Sequence, residues 1–141
     1  MTTFKTSREI PATVEQVFAA FSDPARLSRW WGPAGFTNTF SVCELKTGGR
    51  WVYVMHGPDG KNYLNESVFE QIEPPRDIVI EHISKPKYRL NITLTPSTKG
   101  TAVSWSQVFE NAKFAKNIEK FLATANEQNL DRLTAEVARE I

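Results

Sequence analysis

Residues 88–109, YRLNITLTPSTKGTAVSWSQVF, hold the pattern that decides the fold. Tyr88, Leu90, Ile92 and Leu94 alternate with Arg89, Asn91, Thr93 and Thr95. Ser97-Thr98-Lys99-Gly100 then turns the chain, and Val103, Trp105, Gln107 and Phe109 alternate with Ala102, Ser104 and Ser106. Successive strand side chains point to opposite faces, so this stretch predicts a hairpin with one covered and one wet face, as antiparallel sheets have.

Working back from it, the same punctuation recurs. Strands are predicted over 36–45, 50–56, 63–72 and 78–83, separated by Gly48-Gly49, Gly57-Pro58-Asp59-Gly60 and Pro74-Pro75. The second of these breaks has proline second and glycine last, as a type I turn prefers. Residues 3–10 predict a first strand with Phe4, Thr6, Arg8 and Ile10 on one face, ended by Pro11. Thr13-Val14-Glu15-Gln16 is a capping box that opens a short helix carrying Val14, Val17, Phe18 and Phe21. Ser22-Asp23-Pro24 restarts the chain, with Asp23 suited to an N-cap and Pro24 to the first helical position. A second short helix then carries Ala25, Leu27, Trp30 and Trp31 up to Gly32-Pro33.

Beyond Asn111 there is no proline or glycine, and Phe114, Ile118, Phe121, Leu122, Ala125, Leu130, Leu133, Val137 and Ile141 predict one long amphipathic helix. Its stripe changes phase over 126–129, where a bend or an inward-facing polar segment is expected. The order is strand, two short helices, six strands, long helix. That is an α+β domain over residues 1–141, a curved sheet whose apolar face the last helix covers.

Several local motifs carry a family resemblance: Ser22-Asp23-Pro24, Trp30-Trp31-Gly32-Pro33, Gly48-Gly49-Arg50-Trp51, Met55-His56-Gly57-Pro58-Asp59-Gly60, Phe69-Glu70-Gln71-Ile72-Glu73-Pro74-Pro75 and Leu130-Asp131-Arg132-Leu133. Together they resemble the START-like (SRPBCC) superfamily, and within it the subgroup named after the activator of the heat-shock protein 90 ATPase. The resemblance implies a helix-grip fold, about seven antiparallel strands around the C-terminal helix, with a ligand cavity between them. It also implies three kinds of function. The first is binding of a small apolar or amphipathic ligand. The second is a protein-interaction role toward a chaperone or stress-response partner, as in the eukaryotic namesakes, which carry a further chaperone-binding domain. The third is cyclase- or hydrolase-type catalysis.

Composition narrows the classes. The chain has 40% hydrophobic and 23% charged residues, which is globular usage, and a formal net charge of +1 gives no field that would gather nucleic acid or anionic lipid. One cysteine, Cys43, excludes an intramolecular disulfide, and its apolar surroundings predict a buried, inert thiol. No run approaches the roughly 20 apolar residues of a membrane span, and the opening Met1-Thr2-Thr3-Phe4-Lys5 lacks a signal-peptide core. A cytoplasmic monomer or homodimer without cofactor is expected.

For the cavity, Trp30, Trp31, Trp51, Tyr53, Met55, Phe69, Ile80, Trp105, Phe109 and Phe121 are the candidate lining. Gln107 falls on the same face and needs a polar partner if buried. His82 falls with Ile78 and Ile80, so it too is expected to point inward, where an imidazole has a suitable pKa for acid–base work. No carboxylate near it in sequence forms an obvious partner. Two lone histidines without ligand spacing argue against a metal. There is no nucleophile elbow and no phosphate loop. Lys113, Lys116 and Lys120 form a solvated face or a dock for an acidic partner.

Overall fold

A computed structural model describes residues 2–140. Ile141, the last position of the expected helical stripe, lies outside the described residues. The elements are β1 (Thr2–Ile10), α1 (Val14–Ser22), α2 (Pro24–Trp30), β2 (Thr37–Cys43), β3 (Gly49–His56), β4 (Asn62–Glu73), β5 (Asp77–His82), β6 (Tyr88–Ser97), β7 (Gly100–Phe109), α3 (Ala112–Asn117) and α4 (Glu119–Arg139). The strands form one antiparallel seven-stranded sheet in the order β1-β7-β6-β5-β4-β3-β2, with helices on its concave side: the helix-grip fold.

Local chemistry builds the corner after β1 as expected. Gln16 N–H donates to Thr13 Oγ1 at 3.1 Å, and Thr13 N–H donates to the Gln16 side chain at 2.8 Å. Asp23 caps α2 by accepting from Ala25 N–H at 3.0 Å, with Pro24 at the first helical position. Such a cap is worth about 1 kcal/mol.

The C-terminal helix differs from expectation. The chain breaks at Ile118, whose φ of −109° and ψ of 12° interrupt the helix between α3 and α4, while residues 126–129 stay helical. The break lets each part bury its own stripe. Ala115 and Ile118 pack on Phe109 and Phe4, and Leu130, Leu133 and Val137 join the main core. The phase change instead marks an inward polar segment, because Asn126 and Asn129 are both buried.

One side chain ties α4 to the corner between α2 and β2. Arg132 donates through Nη1 to the carbonyls of Trp31 (3.2 Å), Gly32 (2.9 Å) and Pro33 (2.9 Å). Through Nη2 it donates to Arg29 O (2.8 Å) and Phe36 O (2.9 Å). Asn129 and Gln128 finish the same loop by accepting from Gly32 N–H at 3.2 Å and Ala34 N–H at 3.1 Å. Gly32 has φ +96°, a backbone conformation that strains residues with a Cβ, which favours glycine in the turn, and a Cβ there would also press on Met55 Cε.

Lysine offers three donors from a point, against the planar fork that reaches all five carbonyls. Arg132→Lys is therefore expected to lower the unfolding free energy by about 1–3 kcal/mol in urea denaturation, as part-buried carbonyls lose a donor. A loss below about 0.5 kcal/mol would remove the clamp from this account.

Candidate ligand-binding site

Strand register places most of the candidate residues in two neighbouring rows across the concave face. Trp51, Ser67, His82, Tyr88 and Phe109 are successive cross-strand partners from β3 to β7. Phe69, Ile80, Leu90, Gln107 and Phe4 form the next row, from β4 to β1. The sheet curls far enough that Trp31, at the end of α2, touches both sides of it. Its ring centroid is 4.9 Å from that of Trp51 and 6.0 Å from that of Trp105. Trp51 in turn stacks on Tyr53 at 4.4 Å and on Phe69 at 5.1 Å.

This aromatic layer is closed to solvent, with Trp51, Tyr53, Phe69 and Trp105 at most 2% exposed. Trp30 is equally buried, but its Nε1–H donates to Ala20 O at 2.9 Å and fixes α1 against α2. Met55 is half-buried under Gly32. Phe121 does not join the layer. It is 62% exposed on α4, because Leu122 takes the inward position of that turn.

The layer contains polar atoms. Trp31 Nε1–H donates to the Tyr53 hydroxyl at 3.2 Å, and Asn126 Nδ2 donates to Gln107 Oε1 at 3.3 Å. Ser67 Oγ lies beside the Tyr53 hydroxyl without closing a hydrogen bond to it. Trp51 Nε1, Trp105 Nε1 and Ser67 Oγ find no hydrogen-bond partner among the described residues. Burial pushes the Tyr53 hydroxyl well above its ordinary pKa, as it does Tyr88. Cys43 sits at the margin of the layer, half-buried, its thiol pushed up to about 11 by burial.

Two concavities border this interior. A cleft of about 440 Å³ is lined by Lys85, Pro86, Lys87, Phe109, Glu110, Asn111 and Phe114, between the β5–β6 turn and α3. A smaller recess of about 110 Å³ lies between the α1–α2 pair and β4–β5, with Phe69 and Ile80 in its wall. Of the candidate lining, Phe109 borders the cleft, and Phe69 and Ile80 border the recess.

His82 points inward as expected and is 2% exposed. Its Nδ1 is 2.7 Å from Pro86 O and its Nε2 is 2.7 Å from the Asn65 side-chain amide. Its ring stacks on Tyr88 at 4.5 Å. Ser84 Oγ is 3.5 Å from Nε2, and no carboxylate is among its hydrogen-bond partners. The imidazole thus fastens the wall of the cleft, since Pro86 lines it. Sequence reasoning missed Asn65 and Ser67, whereas Tyr88 is expected on the inward strand face and Asn126 within the inward polar segment, neither as a site residue. Counting by twos back from Phe69 would have turned Ser67 and Asn65 inward, whereas the meeting of Asn126 with Gln107 has no local signal.

Burial lowers the His82 pKa from its ordinary value, with the backbone contacts at Pro86 and Ser84 opposing. A depressed histidine pKa favours the neutral ring in the folded chain. That stability is present above about pH 6.5 and is lost as pH falls through the folded pKa. Melting temperature is therefore expected to drop between pH 7 and 5, with a shallower slope in His82→Asn. Equal slopes in the two proteins would remove His82 from the effect.

Over residues 11–138 the chain matches the model of the family described as Activator of Hsp90 ATPase homolog 1-like protein. A crystal structure of a Nitrosomonas europaea protein aligns over 98% of this chain and 95% of that one, with a TM-score of 0.88 at 19% identity. An Arthrobacter aurescens protein solved in solution gives 0.87 at 24% identity, over 97% and 86% of the two chains. The AHSA1 protein of Silicibacter pomeroyi gives 0.79 at 20% identity, over 99% and 100%. At such identities these likenesses concern the fold. No functionally curated protein matches the chain in sequence. With the family model covering residues 11–138, the Arg132 clamp among them, the chain belongs to the Activator of Hsp90 ATPase homolog 1-like family.

Proposed function

We propose that this chain binds a small apolar or amphipathic molecule, taken up at the cleft beside Phe109. The cleft itself carries the proposal. Its volume of about 440 Å³ suits a small organic ligand, and Phe114 supplies exposed apolar surface beside the buried Phe109, beneath a rim of Lys85 and Lys87. Behind Phe109 the aromatic row continues through Tyr88, 5.3 Å away, to His82. An apolar body would replace water against Phe114 while its polar end stays near the lysines or the buried polar atoms.

Phe114 is 37% exposed on α3, so replacing it alters the cleft more than the core. Phe114→Glu is expected to weaken binding of 1-anilinonaphthalene-8-sulfonate about tenfold, roughly the cost of losing half a buried phenyl ring. Phe121→Glu, outside the cleft, should leave that affinity unchanged. Equal losses in both variants, or in neither, would reject the cleft.

A second function has its own observation. Leu64 on β4 is 66% exposed and Ile83, just after β5, 46%, and the family's description names an activator of a chaperone ATPase. Such a surface would engage a protein partner. Purified Hsp90 should then hydrolyse ATP faster with this chain and lose that gain with Leu64→Asp. No stimulation by the unaltered chain would end this reading.

A further inference from the structure

The interior is rich in donors that nothing in the fold uses. Trp51 is 0% exposed, Ser67 2% and Trp105 2%, and none of their polar side-chain atoms meets a partner among the described residues. A buried donor left unpaired costs about 1–3 kcal/mol, so three in one aromatic layer are a standing penalty. Trp51 and Ser67 are direct cross-strand partners, and Trp105 reaches the same layer through Trp31. An indole N–H can only donate, so its complement is an acceptor.

We propose that the ligand carries a neutral hydrogen-bond acceptor, a carbonyl or ether oxygen on an apolar frame, received by Trp51 Nε1–H and the Ser67 hydroxyl. This rests on the binding function proposed above and names the ligand's chemical class.

The alternative acceptor, a carboxylate, is disfavoured inside the layer. Burial raises the pKa of both Tyr53 and Tyr88, so the same surroundings resist negative charge. No lysine or arginine is among the buried residues there. The lysines that could hold an anion, Lys85 and Lys87, are at the outer rim of the cleft. Tyr88 stands between rim and layer, 5.3 Å from Phe109 and 4.5 Å from His82 between ring centroids, and is only half-buried.

The test compares three probes of one shape: naphthalene, 2-acetylnaphthalene and 2-naphthoate. The ketone should bind at least tenfold tighter than naphthalene and than the carboxylate. Ser67→Ala should cut the ketone's advantage severalfold while leaving naphthalene affinity unchanged. Independently of any variant, the Trp51 indole N–H resonance should move downfield with the ketone and not with naphthalene. Equal affinity of ketone and hydrocarbon would overturn the proposal while leaving the binding function intact. Tightest binding of naphthoate would overturn it in favour of the lysine rim. Failure of all three probes to bind would overturn both proposals.

Discussion

Five backbone carbonyls that converge on one guanidinium organise this molecule. Where α2 ends and the chain turns into β2, the carbonyls of Arg29, Trp31, Gly32, Pro33 and Phe36 point toward α4, all but that of Arg29 part-buried. Helix ends leave such groups without internal partners, and burial makes each one costly. Arg132 answers all five with no carboxylate beside it, so its charge is offset by carbonyl dipoles alone. Burial lowers its pKa as a result. The neighbouring Asn129 and Gln128 accept the N–H groups of the same loop.

That clamp decides where Trp31 stands. Trp31 leaves α2 at the clamped turn and enters the concave side of the sheet, where it bridges Trp51 on β3 and Trp105 on β7. A seven-stranded sheet curls because its strands twist, but its two flanks meet only if something large fills the space between them. Here an indole does so. The rest of α4 is tied down by ion pairs around it: Glu136 to Arg26 and Arg29 on α2, and Asp131 and Glu127 to Arg8 on β1. Glu136 is nearly buried, and the arginine hydrogen bonds hold its carboxyl below the usual range. Among the described residues no helix is long and apolar enough to cross a membrane.

The interior so formed combines tight aromatic packing with polar groups that packing does not serve. Gln107 and Asn126 satisfy each other across sheet and helix, His82 fastens the β5–β6 turn, and two indoles and a hydroxyl are left over. A core selected for stability alone would hold leucine or phenylalanine at Ser67. The proposed ligand would give those atoms the partners that packing does not.

Strand alternation alone is enough to identify the hairpin over 88–109, the turns around it, and the inward set of Trp51, Tyr53, Trp105, Gln107 and Phe109. These depend on a period of two and on local turn chemistry, both visible in a single chain. The capping box at Thr13 and the cap at Asp23 are legible for the same reason. The break at Ile118, the outward turn of Phe121 and the pairing of Gln107 with Asn126 were settled only when α3 and α4 packed on a curved sheet. Each depends on the angle at which a helix meets strands far away in sequence. The Arg132 clamp belongs with these. Leu130-Asp131-Arg132-Leu133 and Trp30-Trp31-Gly32-Pro33 both stand out as motifs, but about a hundred residues separate them, and only the folded chain brings the guanidinium to those carbonyls.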